Sequence, residues 1–114
     1  MEAKKLYFMD CHLAGRMYYD ADEVWDQLKV GTMLKLERDK ENHYDPNAVM
    51  VVYEDNAGEE FKLGYIPRCE NETLASLLEM GWTDIFECRI NKLNPDTHPE
   101  HQVFMTIKIK RNKK

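Results

Sequence analysis

Hydrophobic and polar positions along this chain alternate in short runs, and helical spacing appears in only two places. "LYFMDCHL" (6–13) opens as an apolar run and then loosely alternates, which predicts a first strand. Gly15 and the polar, aromatic "AGRMYYDAD" end it. "DADEVWDQLKVG" (20–31) then predicts a short helix, with Asp20 or Asp22 as cap, acids near its positive end, and Val24, Trp25 and Leu28 on one side. "TMLKLER" (32–38) sets Leu34 and Leu36 against Lys35 and Glu37 and predicts a half-buried strand. The β-branched "AVMVVYE" (48–54) predicts a strand buried on both faces. "DNAG" supplies turn residues, so "EEFKLGYI" returns as the second arm of a hairpin, and Pro67 stops it. The strongest helical pattern is "NETLASLLEMG" (71–81): Asn71 as cap, Leu74, Leu77 and Leu78 on one face, and Gly81 as a left-handed stop. "DIFECRINKL" and "QVFMTIKIK" complete six strands, joined by the polar loop "NPDTHPEH".

Six short strands and two short helices in 114 residues point to one mainly β domain. A small barrel that closes its own edges is favoured, with a small α+β sandwich as the alternative. The domain is expected over 6–109, with an N-terminal extension at 1–5 and a basic tail at 110–114. Hydrophobic residues are 43% and charged residues 32%, a globular balance without the bias of disorder. No apolar run reaches the ~18 residues of a membrane span, and the start has no signal-like apolar region, so a cytoplasmic protein is expected.

Charge narrows the function classes. The net charge is −5, yet the closing "KIKRNKK" carries five positive charges and no acid, so the body before it is more acidic than the total suggests. Such a body is a poor generic binder of polyphosphate, whose affinity comes from Lys and Arg releasing counterions. Nucleic-acid binding would need a local site. Cys11, Cys69 and Cys88 are an odd number without a paired CxxC, as expected of reduced thiols. "HPEH" (98–101) has Pro99 between its histidines and no third ligand nearby, so no metal is assigned. Cys11 and His12 are adjacent on a strand and point to opposite faces, which argues against a nucleophile and base. There is no Gly-rich phosphate loop, G-x-S-x-G or HExxH, and neither an enzyme nor a cofactor is expected.

Two segments carry candidate chemistry. In "RDKENHYDPNAV" (38–49), Asp45 and Asn47 flank Pro46, which is turn chemistry. The same polar side chains on a loop between rigid strands could form a recognition edge. In "RMYY" (16–19) the consecutive tyrosines cannot both face inward on extended backbone, so at least one meets solvent or a ligand. A phenol ring suits stacking against an unpaired base.

Taken in order, "AGRMYYD", "VGTMLKLERDKENHYDPNAVMVV", "LGYIPR" and "LASLLEMG" resemble the HIRAN domain family over nearly the whole chain. The resemblance implies an OB-like β-barrel. In eukaryotic members, fused to SWI2/SNF2-type DNA translocases with RING ligase activity, the domain binds single-stranded DNA at a free 3′ end. The resemblance implies that Tyr18 and Tyr19 stack on or flank the terminal nucleotides. It further implies that Asn42, Tyr44 and Asp45 form the loop site, with Asp45 accepting from the 3′-hydroxyl. Arg68 would contact a phosphate, and Arg16 could assist. Two positions depart from the DNA-binding members: Met17 stands where they carry Arg, and Glu41 where they carry a second Asn. The expected function is therefore a DNA 3′-end module used in repair or fork processing, with a helicase or nuclease as protein partner. The alternative is a protein-interaction module of the same fold that has lost DNA binding.

Overall fold

The structure is a computed structural model that describes residues 4–111. Six strands, β1 (Lys5–His12), β2 (Met33–Arg38), β3 (Val49–Glu54), β4 (Glu60–Tyr65), β5 (Phe86–Leu93) and β6 (Val103–Lys110), make one antiparallel sheet in the order β1-β6-β5-β2-β3-β4. Register shifts interrupt the ladders at Tyr7/Met9, Val51/Val52 and Ile90/Lys92. Bulges of this kind bend strands and raise local twist. In the β3–β4 ladder the extra residue is Leu63 of β4, between the partners of Val51 and Val52.

The sheet curls until the chain just past β1 touches the opposite edge strand. Ala14 and Tyr65 exchange two backbone hydrogen bonds of 2.9 Å, an isolated bridge between the two ends of the strand order. Closure is thus one bridge and not a continuous ladder, looser than the fully closed barrel expected. Gly64 makes the approach possible: a Cβ there would lie 2.3 Å from the Ala14 carbonyl oxygen. Inside the curl sit Leu13, Leu63, Ile66, Leu74, Ile90, Met105 and Ile107, all essentially inaccessible to solvent. In β6 the buried Val103, Met105 and Ile107 alternate with Phe104, Thr106 and Lys108, as a half-buried strand should.

The helices follow the hydrophobic pattern in part. The segment expected as one helix from Asp20 is short and broken, with α1 (Ala21–Val24) running into a 3₁₀ turn at Trp25–Gln27 and no side-chain cap. The second helix, α2 (Glu72–Glu79), buries Leu74, Ala75 and Leu78 and stops at Gly81, whose φ is 97°. Asn71 stands at its N-cap position, but its side chain does not cap. Its side-chain nitrogen instead donates to the β2–β3 loop.

Candidate nucleic-acid interface

The loop between β2 and β3 is stitched to itself. The Asn42 side-chain oxygen accepts from the N–H groups of Tyr44 (2.9 Å) and Asp45 (3.0 Å), and Asp45 Oδ1 accepts from Asn47 N–H (2.9 Å). These Asx contacts hold the backbone in its turn. The other carboxylate oxygen of Asp45, Oδ2, accepts from Asn71 Nδ2 at 2.8 Å, and Asn71 is only 1% exposed. The residue expected to cap α2 therefore orients the loop carboxylate from beneath. Arg38 donates to the Ala48 carbonyl at 3.2 Å and ties the loop's ends to its strands. Tyr44 projects outward, 86% exposed, with Glu41 and His43 also at the surface.

The tyrosine segment is anchored by its backbone instead. Gly15 adopts a φ of 74°, and its N–H donates to Glu100 Oε2 at 2.8 Å. Glu100 lies in the "HPEH" turn, where its own N–H donates to His98 Nδ1 at 3.2 Å. The turn with its two histidines thus anchors the tyrosine segment. Among the described residues no cluster of three or more His, Cys, Asp and Glu side chains could hold a metal ion. A 3₁₀ turn at Arg16–Tyr18 then presents Met17 and Tyr18, which are 53% and 74% exposed.

Tyr18 and Tyr19 are not equivalent. Tyr19 packs edge-on against Tyr65, with ring centroids 5.6 Å apart, while Tyr18 stays largely open. Lys62 lies over both packed rings, its Nζ 4.3 Å from the Tyr19 centroid and 4.5 Å from that of Tyr65. It donates to the Tyr65 hydroxyl at 2.6 Å, and that hydroxyl donates to Asp39 Oδ2 at 2.5 Å. Burial and the bond to Asp39 push the Tyr65 phenol above its ordinary value, and burial does the same at Tyr19. Asp39 opens the β2–β3 loop, so one phenol joins the loop to the tyrosine segment.

Of the residues singled out from sequence, Asn42, Asp45, Tyr18 and Tyr19 thus belong to two segments that meet at Tyr65, with Tyr44 exposed beside Asp45. Arg68 is exposed on a 3₁₀ turn (Arg68–Glu70) that follows Pro67. Arg16 is turned inward. It is 8% exposed, paired with Asp22 at 2.8 Å and stacked 4.3 Å from the Trp25 ring. Sequence reading did not single out Lys62, Tyr65 or Asp39, and it took Asn71 only as a helix cap. Tyr65 lay within the quoted "LGYIPR", whereas Lys62 reads as an ordinary outward residue of an alternating strand.

A model of the HIRAN domain matches residues 6–110. The chain belongs to the HIRAN family. Among solved structures, this HIRAN domain is similar to a protein from Lactobacillus plantarum at 22% identity, with a TM-score of 0.77 and coverage of 97% of this chain and 100% of that one. It is also similar to the HIRAN domain of human HLTF, at 20% identity and a TM-score of 0.60, over 94% of this chain and 81% of that one. At these identities the likeness concerns the fold. No curated protein matches the chain closely enough to count as a relative.

Other features carry less chemistry. Cys11 is buried, and burial, reinforced by Glu70 and Asp10, pushes its thiol up to about 12, so it stays protonated at neutral pH. A surface cavity of about 540 Å³ opens between β2 and the start of β5 beside Leu36, Phe86 and Lys110, and none of the candidate site residues lines it. Among the described residues no helix is long and apolar enough to cross a membrane.

Proposed function

We propose that this HIRAN domain is a non-enzymatic cytoplasmic module that binds single-stranded DNA at a free 3′-hydroxyl end and acts as an adaptor in DNA repair or replication-fork processing, alongside a helicase or nuclease. Family membership supports a DNA-binding module. The observation that carries the finer reading is the Asp45 carboxylate, fixed by Asn47 N–H and the buried Asn71 amide beside the exposed ring of Tyr44. An ionised carboxylate accepts at about four lone-pair positions. The two bonds described leave capacity for a ligand hydroxyl. The same charge repels a phosphate, so the site favours a chain end over a continuing backbone. Tyr18, Tyr19 and Tyr44 offer ring surface for the last bases, and Arg68 a phosphate contact. Arg16 serves as a brace for the tyrosine segment through Asp22 and Trp25.

Fluorescence anisotropy at low salt tests this with short oligonucleotides ending in 3′-hydroxyl, in 3′-phosphate or in a blocked 3′ group. The 3′-hydroxyl strand should bind best, and Asp45→Asn should narrow its advantage over the 3′-phosphate. Equal binding of all three sinks end recognition, and no binding sinks the DNA reading. The exposed Met17 and Tyr18, together with the inward Arg16, favour a second reading, a protein-interaction surface on the same barrel. Failure with every oligonucleotide would select it.

A further inference from the structure

We propose that Lys62 forms a phosphate subsite on the tyrosine platform, taking a backbone phosphate of a single strand whose base stacks on Tyr18. This rests on the reading of the surface as a DNA interface and supplies a cation at its centre. The arginine beside the tyrosines in sequence cannot fill that role, because Arg16 is buried and its guanidinium is held by Asp22 and Trp25. Lys62 differs on each point. It reaches the platform from β4, and its Nζ lies within 4.5 Å of the centroids of both Tyr19 and Tyr65. Among the described residues no carboxylate lies within ion-pair distance of it, although Lys5, Arg16, Lys35, Arg38, Lys40 and Arg89 all have such partners. Asp39 meets it only through the Tyr65 hydroxyl.

Aromatic faces attract an ammonium without neutralising it. One of its three donors is bound to the Tyr65 oxygen, so two donors remain for an anion. Lys62 is half-buried and its ammonium is already held over two rings, so less side-chain freedom is left to lose when an anion binds. The position suits a nucleotide. A Cβ on Gly15 would lie 3.3 Å from the Tyr19 ring and 4.0 Å from the Tyr18 ring, so the open ring and the cation-bearing ring are neighbours over one point. A base stacked on Tyr18 has its phosphate one sugar away, toward Lys62. The ligand class is thus a nucleoside phosphodiester, read by one base face and one backbone charge.

The test uses a short oligothymidylate with a free 3′-hydroxyl and a series in which each of its last linkages, one at a time, is an uncharged methylphosphonate. One such replacement should weaken wild-type binding about tenfold, the scale of a hydrogen bond to a charged group. Lys62→Met keeps the stem and loses the charge. It should bind the unmodified strand about tenfold more weakly, be indifferent to that replacement, and lower the slope of log affinity on log salt by ~0.7. Lys62→Arg should restore the sensitivity. If the methylphosphonate costs the same in wild type and Lys62→Met, or if Lys62→Met binds like wild type, the subsite is overturned while the DNA reading stands. If wild type binds no strand at all, the DNA reading falls and the subsite with it. A purely structural Lys62 would shift the unfolding midpoint of Lys62→Met and leave the response to the modified linkage intact.

Discussion

The two segments that meet at Tyr65 are built in opposite ways. In the β2–β3 loop, Asn42 and Asp45 turn their oxygens back onto the N–H groups of residues 44, 45 and 47, so these polar side chains hold shape. In the Gly15–Tyr19 segment the backbone does the holding, through Glu100 and the Ala14–Tyr65 bridge, and the side chains of Met17 and Tyr18 point out. A loop fixed by its own carboxylate can offer a hard, positioned acceptor. A segment fixed by its backbone can offer apolar ring surface. The comparison divides the work of recognition between a rigid polar point and a stacking face.

The most damaging way to break the arrangement is to separate the segments from the barrel that carries both. Gly64→Val puts a side chain against the Ala14 carbonyl, where even a Cβ would lie 2.3 Å away. The bridge must open, and overpacking of this sort costs about 1–3 kcal/mol or more. Urea unfolding should show the loss, and the Gly15 and Tyr18 amides should lose protection from hydrogen exchange together.

Next come Asp45→Ala and Tyr18→Ala, which should fail differently. Removing Asp45 leaves the buried Asn71 amide without its acceptor and frees the Asn47 N–H, a loss of about 1–3 kcal/mol of folding stability. Removing the exposed Tyr18 ring should leave stability within ~0.5 kcal/mol of wild type, as surface changes do. It should cost about 1–3 kcal/mol of strand binding, the scale of one stacked base. Parallel denaturation and anisotropy curves decide this. Equal losses of stability in the two variants would erase the contrast between the segments.

Sequence made some of this legible and hid the rest for definite reasons. Strands came through because burial imposes a period of two on residues such as Val103, Met105 and Ile107. The helix expected from Asp20 was misjudged in length, since Val24, Trp25 and Leu28 pack inward equally well from a broken turn. Asn71 reads as a cap from its place before α2, and nothing local shows that its amide serves Asp45, distant in sequence. Lys62 and Asp39 are likewise visible only once β2 and β4 have been brought to the same phenol. Chain order reveals which segments are polar or aromatic, whereas partnership across the sheet depends on register.

A smaller effect should come from the "HPEH" turn. Glu100→Ala removes the acceptor of the Gly15 N–H, which can turn to water, so the stability cost should be about 1 kcal/mol. Strand binding should weaken two- to threefold as the tyrosine segment loosens, ~0.5 kcal/mol. A change in binding without any change in the exchange rate of the Gly15 amide would show that Glu100 does not act as this anchor.

The finest probe is Tyr65, which belongs to both segments. Its phenol is raised above the ordinary 10.0 by burial and by the hydroxyl's bond to Asp39, so the folded chain holds this proton more tightly than the unfolded one. Stability linked to the group is therefore complete below pH 10.0 and falls as pH rises from there through the folded phenol's value, because the unfolded chain releases the proton first. Tyr19 is raised in the same direction, so its loss runs in parallel. Tyr65→Phe deletes the hydroxyl and with it the link from Lys62 to Asp39, while keeping the ring edge against Tyr19. Absorbance of phenolate against pH should show a late-titrating component that shrinks in Tyr65→Phe. Urea midpoints above pH 10.0 should decline less steeply in the variant than in wild type. If both declines are the same, the phenol does not couple the loop to the tyrosine segment through its proton, and the segments are joined by packing alone.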